Sequence, residues 1–160
     1  MRRAVITGMG LVTPLGVGLQ TNWDRLLNKS SGARKIEEFN TEDLRCKIAC
    51  FVPRGDGEFK AEDWVTVPDQ RKMDPFIVFA ISAAEQAIED SGWKPEDEHS
   101  LCRTGVLIGS GIGGLSTIEA NAITVHEKGA RKLSPFFIPA ALINLASGHV
   151  AIRYGYKGPN

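Results

Sequence analysis

Residues 104–115 read "TGVLIGSGIGGL", a short apolar run that ends in Gly109-Ser110-Gly111-Ile112-Gly113-Gly114 and so satisfies G-x-G-x-x-G. A dinucleotide-binding loop needs a strand, the glycines, a helix, and then a second strand ending in Asp or Glu about 20 residues on. "TGVLIG" reads as the strand, and a helix is expected from Leu115 to Glu127. The fourth part fails, because the chain runs on as "KGARKLSPFFIPAALIN" (128–144), with no β-branched run followed by an acid. Two readings of the glycines stay open on local grounds: they permit tight turns and close packing, or they let Ile112 stand against a cavity.

Working outward, the clearest element is a helix from about Gln70 to Ser91, with Asp69 as its candidate cap and Gly92 as its stop. Phe76, Ala80, Ala84 and Ala87/Ile88 recur at helical spacing, as do Ile77 and Ile81, with Glu85, Gln86, Glu89 and Asp90 on the other side. Pro75 falls near its first turns. Towards the N-terminus, Arg3–Thr7 reads as a strand entering a glycine-rich bend, and Thr21 as the cap of a short helix around Trp23–Leu27. Arg45–Pro53 reads as a partly alternating strand.

Beyond the glycines, Pro139–Tyr154 reads as one helix that is apolar on nearly every face, interrupted only by Asn144, Ser147, His149 and Arg153. Such a helix must be covered on almost all sides. Gly148 in its middle suggests that another backbone passes close by. "RYGYKGPN" (153–160) is a helix stop and a Gly-Pro turn of the kind that introduces a strand. Together these features lead us to expect that the chain is part of a larger fold.

The totals exclude several classes. Nineteen basic residues balance nineteen acidic ones, so no global field favours nucleic acid or an anionic membrane. No apolar run approaches the roughly 20 residues of a membrane span. The three cysteines, Cys46, Cys50 and Cys102, lack metal-ligand spacing with any histidine and read as buried free thiols in a reducing, cytoplasmic setting. His149 reads as a hydrogen-bonded core residue, and His99 and His126 as surface residues.

Four stretches together resemble the N-terminal part of the β-ketoacyl-acyl-carrier-protein synthases, and synthase II most of all. They are "RRAVITGMGLVTPLG" (2–16), "QRKMDPFIVFAISAAEQAIEDSG" (70–92), "GVLIGSGIGGL" (105–115) and "RKLSPFFIPAALINLASGHVAIRYGYKGPN" (131–160). They follow one another along nearly the whole chain, while "RGDGEFKAEDWVTVPD" (54–69) contributes little.

The resemblance implies an α/β, thiolase-like αβαβα layered fold, with residues 1–160 forming most of its first half. It implies a decarboxylative condensation in type II fatty-acid synthesis, catalysed by a cytoplasmic homodimer without metal or redox cofactor. In this reading Ile112 gates an acyl tunnel, and Phe137 and Ile138 reach the tunnel of the partner subunit. A growing alkyl chain gains about 0.8 kcal/mol per buried methylene, so its pocket needs apolar walls. The basic pairs Arg71-Lys72 and Arg131-Lys132 would dock the acidic acyl carrier protein.

The nucleophilic cysteine, two histidines and a supporting lysine are expected after Asn160, so residues 1–160 alone are expected to be inactive. None of Cys46, Cys50 and Cys102 lies in the matching motif. A short, non-catalytic protein binding acyl carriers or a synthase partner is the alternative reading; an NAD(P)-binding oxidoreductase domain is the other.

Overall fold

The computed structural model describes residues 3–55 and 57–160. After an extended N-terminal segment, β1 (Val12–Thr13) pairs antiparallel with β2 (Gly16–Val17) across a tight turn. Helix α1 (Leu19–Leu27) follows directly. Thr21, expected as its cap, lies inside the first turn. The fastening residue is Asn22 instead: its buried amide donates to Gly16 O at 3.1 Å and Gly18 O at 2.7 Å. Arg25 closes the unit, donating to Leu15 O and pairing with Glu58 at 2.6 Å.

The strand expected over 45–53 shrinks to β4 (Ile48–Ala49), which pairs antiparallel with β3 (Arg34–Lys35). Cys46 and Cys50 flank β4 and are exposed. Cys102, on α4 (Glu98–Arg103), is exposed as well. The expectation of buried thiols is therefore corrected for all three. Cys46 and Cys50 flank a two-residue strand on a largely exposed hairpin, and Cys102 turns towards Glu98 on the surface, 3.6 Å from its Oε1.

The helix expected from about Gln70 to Ser91 begins only at Pro75, behind a separate short helix. The short helix, α2 (Val67–Gln70), is capped by Thr66, which accepts from Asp69 N. The long one, α3 (Pro75–Ser91), is capped by Asp74 and ends at Gly92 in the left-handed region, φ 65°. Proline disfavours helical geometry in the residue before it, and Asp74 takes ψ 153°. The cap is thus Asp74 rather than Asp69.

α5 runs from Leu115 to Lys128, one residue longer than expected, and a 3₁₀ turn (Ala130–Lys132) follows. The apolar helix expected over 139–154 is also broken, into α6 (Phe137–Ala141) and α7 (Leu145–Tyr154). The Ala141 carbonyl accepts from Gly114 N at 3.0 Å instead of continuing the ladder, and Leu142 turns to ψ 135°.

The core lies between α3 and α7, where Ile77, Val78 and Ile81 meet Val150, with Phe59 and Val65 closing the cluster. Phe59 and Phe79 add an edge-to-face contact at 5.0 Å between ring centroids. A second layer is the N-terminal bend, laid along the outer turns of α3. Met9 N donates to Asp90 Oδ2 and Leu11 N to Gln86 Oε1. A Cβ on Gly10 would lie 2.0 Å from Ala83 O, so backbone rides directly on helix there.

The runs expected as strands at 3–7 and 104–109 form no ladder among the described residues. Residues 104–106 instead meet 157–159 through Val106 N to Pro159 O at 2.9 Å and Gly158 N to Thr104 O at 3.0 Å. Their apolar side chains find little cover: Val5 is 77% exposed, Ile6 82% and Leu107 96%. A strand is stabilised by cross-strand neighbours, and the described residues supply few. The covering expected for the last helix is likewise partial. Ile152 is exposed, and among the described residues a Cβ on Gly148 would touch only Leu145 Cδ1, at 3.9 Å, with no second backbone crossing there.

Candidate functional site

The glycine loop, α5 and α6 form one cluster against the start of α3. Gly113 has φ 84°, a conformation that glycine adopts without strain. A Cβ on Gly113 would lie 2.5 Å from Ala141 O, and one on Gly114 2.8 Å from Ala141 Cα. By contrast, Gly109 and Gly111 face open space. The last two glycines therefore serve close packing of the loop on α6.

The same geometry removes the dinucleotide reading. A phosphate at a helix N-terminus needs free backbone N–H groups. At α5, Gly114 N donates to Ala141 O, and Thr117 N donates to Asp74 Oδ2 at 3.1 Å. A carbonyl and a carboxylate already occupy the anion position.

Asp74 is the residue that sequence reading missed. It is 4% exposed, and its carboxylate accepts four hydrogen bonds. Phe76 N donates to Oδ1 at 3.3 Å, while Ser116 Oγ (2.8 Å), Thr117 Oγ1 (2.7 Å) and Thr117 N donate to Oδ2. Two helices thus begin on one side chain. The available signals were the Asp-Pro pair and the Ser-Thr that follows the paired glycines.

A cavity of about 320 Å³ opens beside this junction, lined by Arg71, Ser116, Thr117, Asn121, Ser134 and Phe137 among others. Arg71 and Phe137 are thereby brought together, and Phe137 is half-buried. The "SPFFIP" segment (134–139) is tied to α5 by Ser134 N donating to Asn121 Oδ1 at 3.4 Å. Ile112 and Ile138 stand outside this cavity, 66% and 56% exposed.

The basic residues divide into two places. Arg71 ends α2, and Lys72 is held by Asp69 at 2.8 Å. That contact, with the Thr66 hydroxyl, keeps the Asp69 carboxyl below its usual range. Arg131 and Lys132 lie on the 3₁₀ turn at the other end of α5, about 20 Å from the glycine loop by helical rise. Among the described residues, Arg71, Arg131 and Lys132 make no ion pair.

His149 is only half-buried, on the wall of a separate cavity with Asp69, Lys72 and Arg153. Burial pushes its pKa down, partly opposed by Asp69. Its Nε2 has no hydrogen-bond partner among the described residues, so the expectation of a hydrogen-bonded core histidine is corrected at that atom. His149 shares that cavity wall with Trp64, Met73, Ile81 and Ile152. His99 and His126 are exposed, as expected.

Among the described residues there is no group of His, Cys, Asp and Glu arranged to hold a metal ion, and no helix long and apolar enough to cross a membrane.

The family model described as "Beta-ketoacyl synthase, N-terminal domain" matches residues 1–160. The chain belongs to this family. It is 55% identical over its whole length to the 3-oxoacyl-(acyl-carrier-protein) synthase 2 of Rhizobium meliloti, and covers 39% of that relative. Over 99% of its length it is 43% identical to the mitochondrial 3-oxoacyl-(acyl-carrier-protein) synthase of Arabidopsis thaliana, and covers 37% of it.

Among solved structures, a beta-ketoacyl synthase from Burkholderia phymatum matches with a TM-score of 0.77 at 25% identity, over 99% of this chain and 38% of that one. A type II PKS ketosynthase solved in complex with its acyl-carrier protein matches with a TM-score of 0.72 at 21% identity, over 96% of this chain and 39% of that one; this likeness concerns the fold alone. The expected α/β, thiolase-like class of this synthase domain is thereby established, although its strands pair less than expected. The domain spans about two-fifths of the length of the curated relatives it matches.

Proposed function

We propose that the protein carrying this domain is a 3-oxoacyl-(acyl-carrier-protein) synthase of type II fatty-acid biosynthesis, a cytoplasmic homodimer in which residues 1–160 form the N-terminal part of the condensing domain. The observation that carries this reading is 55% identity to such a synthase along the entire chain. In the reaction, a cysteine thiolate attacks the carrier-bound acyl thioester, and the carrier thiol leaves. Malonyl-carrier then loses CO₂, and the carbanion formed attacks the acyl-enzyme carbonyl. A carbon–carbon bond forms, the cysteine thiolate departs, and the product is a 3-oxoacyl-carrier two carbons longer. The cysteine, the two histidines and the lysine belong, on this reading, to sequence beyond Gly158-Pro159-Asn160.

The domain's own residues bind and dock. Ile112, Phe137 and Ile138 supply apolar wall for the acyl chain; exposed isoleucines beside a tight glycine loop fit that role, since each buried methylene of the substrate contributes about 0.8 kcal/mol. Arg71, Lys72, Arg131 and Lys132 form the docking face for the acidic carrier. Arg131 and Lys132 are exposed and make no ion pair among the described residues, so they are available to an incoming anion. Lys72 must share its charge with Asp69.

The test is the full-length protein mixed with acyl- and malonyl-carrier and followed by mass spectrometry. A product two carbons longer, formed more slowly by Arg71→Glu and Arg131→Glu and at higher salt, supports the proposal. Absence of any elongated product from the wild-type protein refutes it.

A further inference from the structure

The geometry at the start of α5 points to a role for Asp74 that deepens the function proposed above and rests on it. We propose that Asp74 is a positioning residue for the acyl pocket. Its carboxylate holds α5, the Ile112 loop and α6 in fixed register with α3.

A helix cap needs one oxygen. Asp74 Oδ1 performs that task, accepting from Phe76 N at the start of α3. Oδ2 is given over wholly to another helix, through both hydroxyls and one amide of Ser116 and Thr117. Burying a carboxylate without a cation is unfavourable unless donors surround it. Among the described residues no cation pairs with Asp74. Four donors from two helix starts surround the carboxylate instead. That set is complete only while α3 and α5 begin at the same point.

That point is mechanically tied to the acyl-binding side chains. Gly114, immediately before α5, donates its N–H to Ala141 O, the last residue of α6. A Cβ on Gly114 would lie 3.0 Å from Asp74 Cβ and 2.8 Å from Ala141 Cα, so α3, the loop and α6 touch with no slack. Two residues before Gly114 stands Ile112, and α6 itself carries Phe137 and Ile138. Arg71, three residues before Asp74, lines the same cavity as Ser116, Thr117 and Phe137. A change at Asp74 therefore displaces the pocket wall from both sides of the glycine loop.

Asparagine is the discriminating substitution. It has one acceptor oxygen and a donor NH₂. Turned towards Phe76 N, it presents its NH₂ to the Ser116 and Thr117 hydroxyls, which can turn to accept, but leaves Thr117 N facing a donor; turned the other way, it uncaps α3. In either orientation one backbone N–H at a helix start loses its acceptor. Ser116→Ala/Thr117→Val leaves the α3 cap intact and removes two of the three α5 donors. Thr117→Ser keeps the hydroxyl.

The experiment uses the full-length protein and two readouts. The first is kcat/KM for carrier-bound acyl substrates of short and long chain. Asp74→Asn and the Ser116/Thr117 double variant are expected to lose about tenfold to a hundredfold with the long chain, as misplacement near 1 Å does, and much less with the short one. Thr117→Ser restores the long-chain rate. The second is hydrogen–deuterium exchange, expected to quicken across residues 110–118 in Asp74→Asn. If Asp74→Asn does not fold, the Ser116/Thr117 variants carry the test. An equal loss at both chain lengths, or unchanged exchange over 110–118 in a folded variant, overturns the role of Asp74. A wild-type protein with no condensation activity overturns the function reading alone, and exchange then decides the positioning claim.

Discussion

The α3–α7 contact and the extended segments at 3–7 and 104–109 are built from the same kinds of apolar residue, yet they end in opposite environments. Ile77, Ile81 and Val150 are 0%, 2% and 2% exposed, whereas Ile6 and Leu107 are 82% and 96% exposed. In the first region a 17-residue helix meets a second helix from the far end of the chain, and each covers the other's stripe. In the second, the extended segments form no ladder among the described residues, and 104–106 meet only the short 157–159 stretch. Burial within the chain accounts for the first region; the second has its apolar surface directed outward, as do Ile112, Ile138 and Ile152. One region is covered within the chain; the other leaves its apolar surface exposed.

Substitutions should separate the two regions sharply. Ile81→Ala is expected to cost about 2–5 kcal/mol in urea unfolding of the 160-residue chain, through lost burial and a residual cavity. Leu107→Ala in the same assay should fall within about 0.5 kcal/mol of wild type, as exposed sites do. Comparable costs at the two positions would erase the contrast.

The glycine loop contains the same contrast at smaller scale. Gly114→Ala places a methyl against Ala141 and Asp74 and should cost about 1–3 kcal/mol by overpacking. Gly109→Ala meets nothing within 4 Å and should be close to neutral in thermal melts. Equal melting temperatures for the two variants would remove the close-packing role of Gly114.

Much of this was legible in the sequence. The periodicity of 76–91 and the Gly92 stop gave α3, and the residues after the glycines gave α5. The break at 71–74 was signalled locally by Pro75 and was read through; the break at 142–144 and the second task of Asp74 were not legible, because long-range hydrogen bonds make them. Asp74 Oδ2 is held by residues 42 and 43 positions away, and the Ala141 carbonyl is diverted by Gly114. The extended runs were read as strands from their composition, but a ladder depends on a partner that composition does not supply. At the candidate site, the family resemblance singled out Ile112, Phe137, Ile138 and the basic pairs. Asp74 went unnoticed because an aspartate before proline signals a helix start and says nothing of a second helix.

Arg131 and Lys132 belong to the outward-facing half by charge rather than apolarity. Arg131→Glu in the full-length protein should lower the association rate with the carrier protein and flatten its salt dependence, with little effect on melting temperature. An unchanged association rate, measured by stopped flow, would show that this turn is only a solvated surface.

The smallest effect concerns His149, half-buried on α7. Burial lowers its pKa in the folded state, so the unfolded chain binds the proton better. Its contribution to stability is therefore complete above about pH 6.5, the ordinary imidazole value, and is lost as pH falls through and below that value. His149→Gln should flatten the decline in melting temperature between pH 7.5 and 5. An identical slope in both proteins would assign the decline to other groups.

The central claim is that the outward apolar surface around the glycine loop is a wall for an acyl chain rather than misplaced core. Its most direct test is Ile112→Phe in the full-length protein, with acyl transfer from short- and long-chain carriers measured beside the unfolding midpoint. A larger side chain at an exposed wall should block the long chain, spare the short one and leave the midpoint unchanged. Equal transfer of both chains with a lowered midpoint would contradict the claim and return Ile112 to the core.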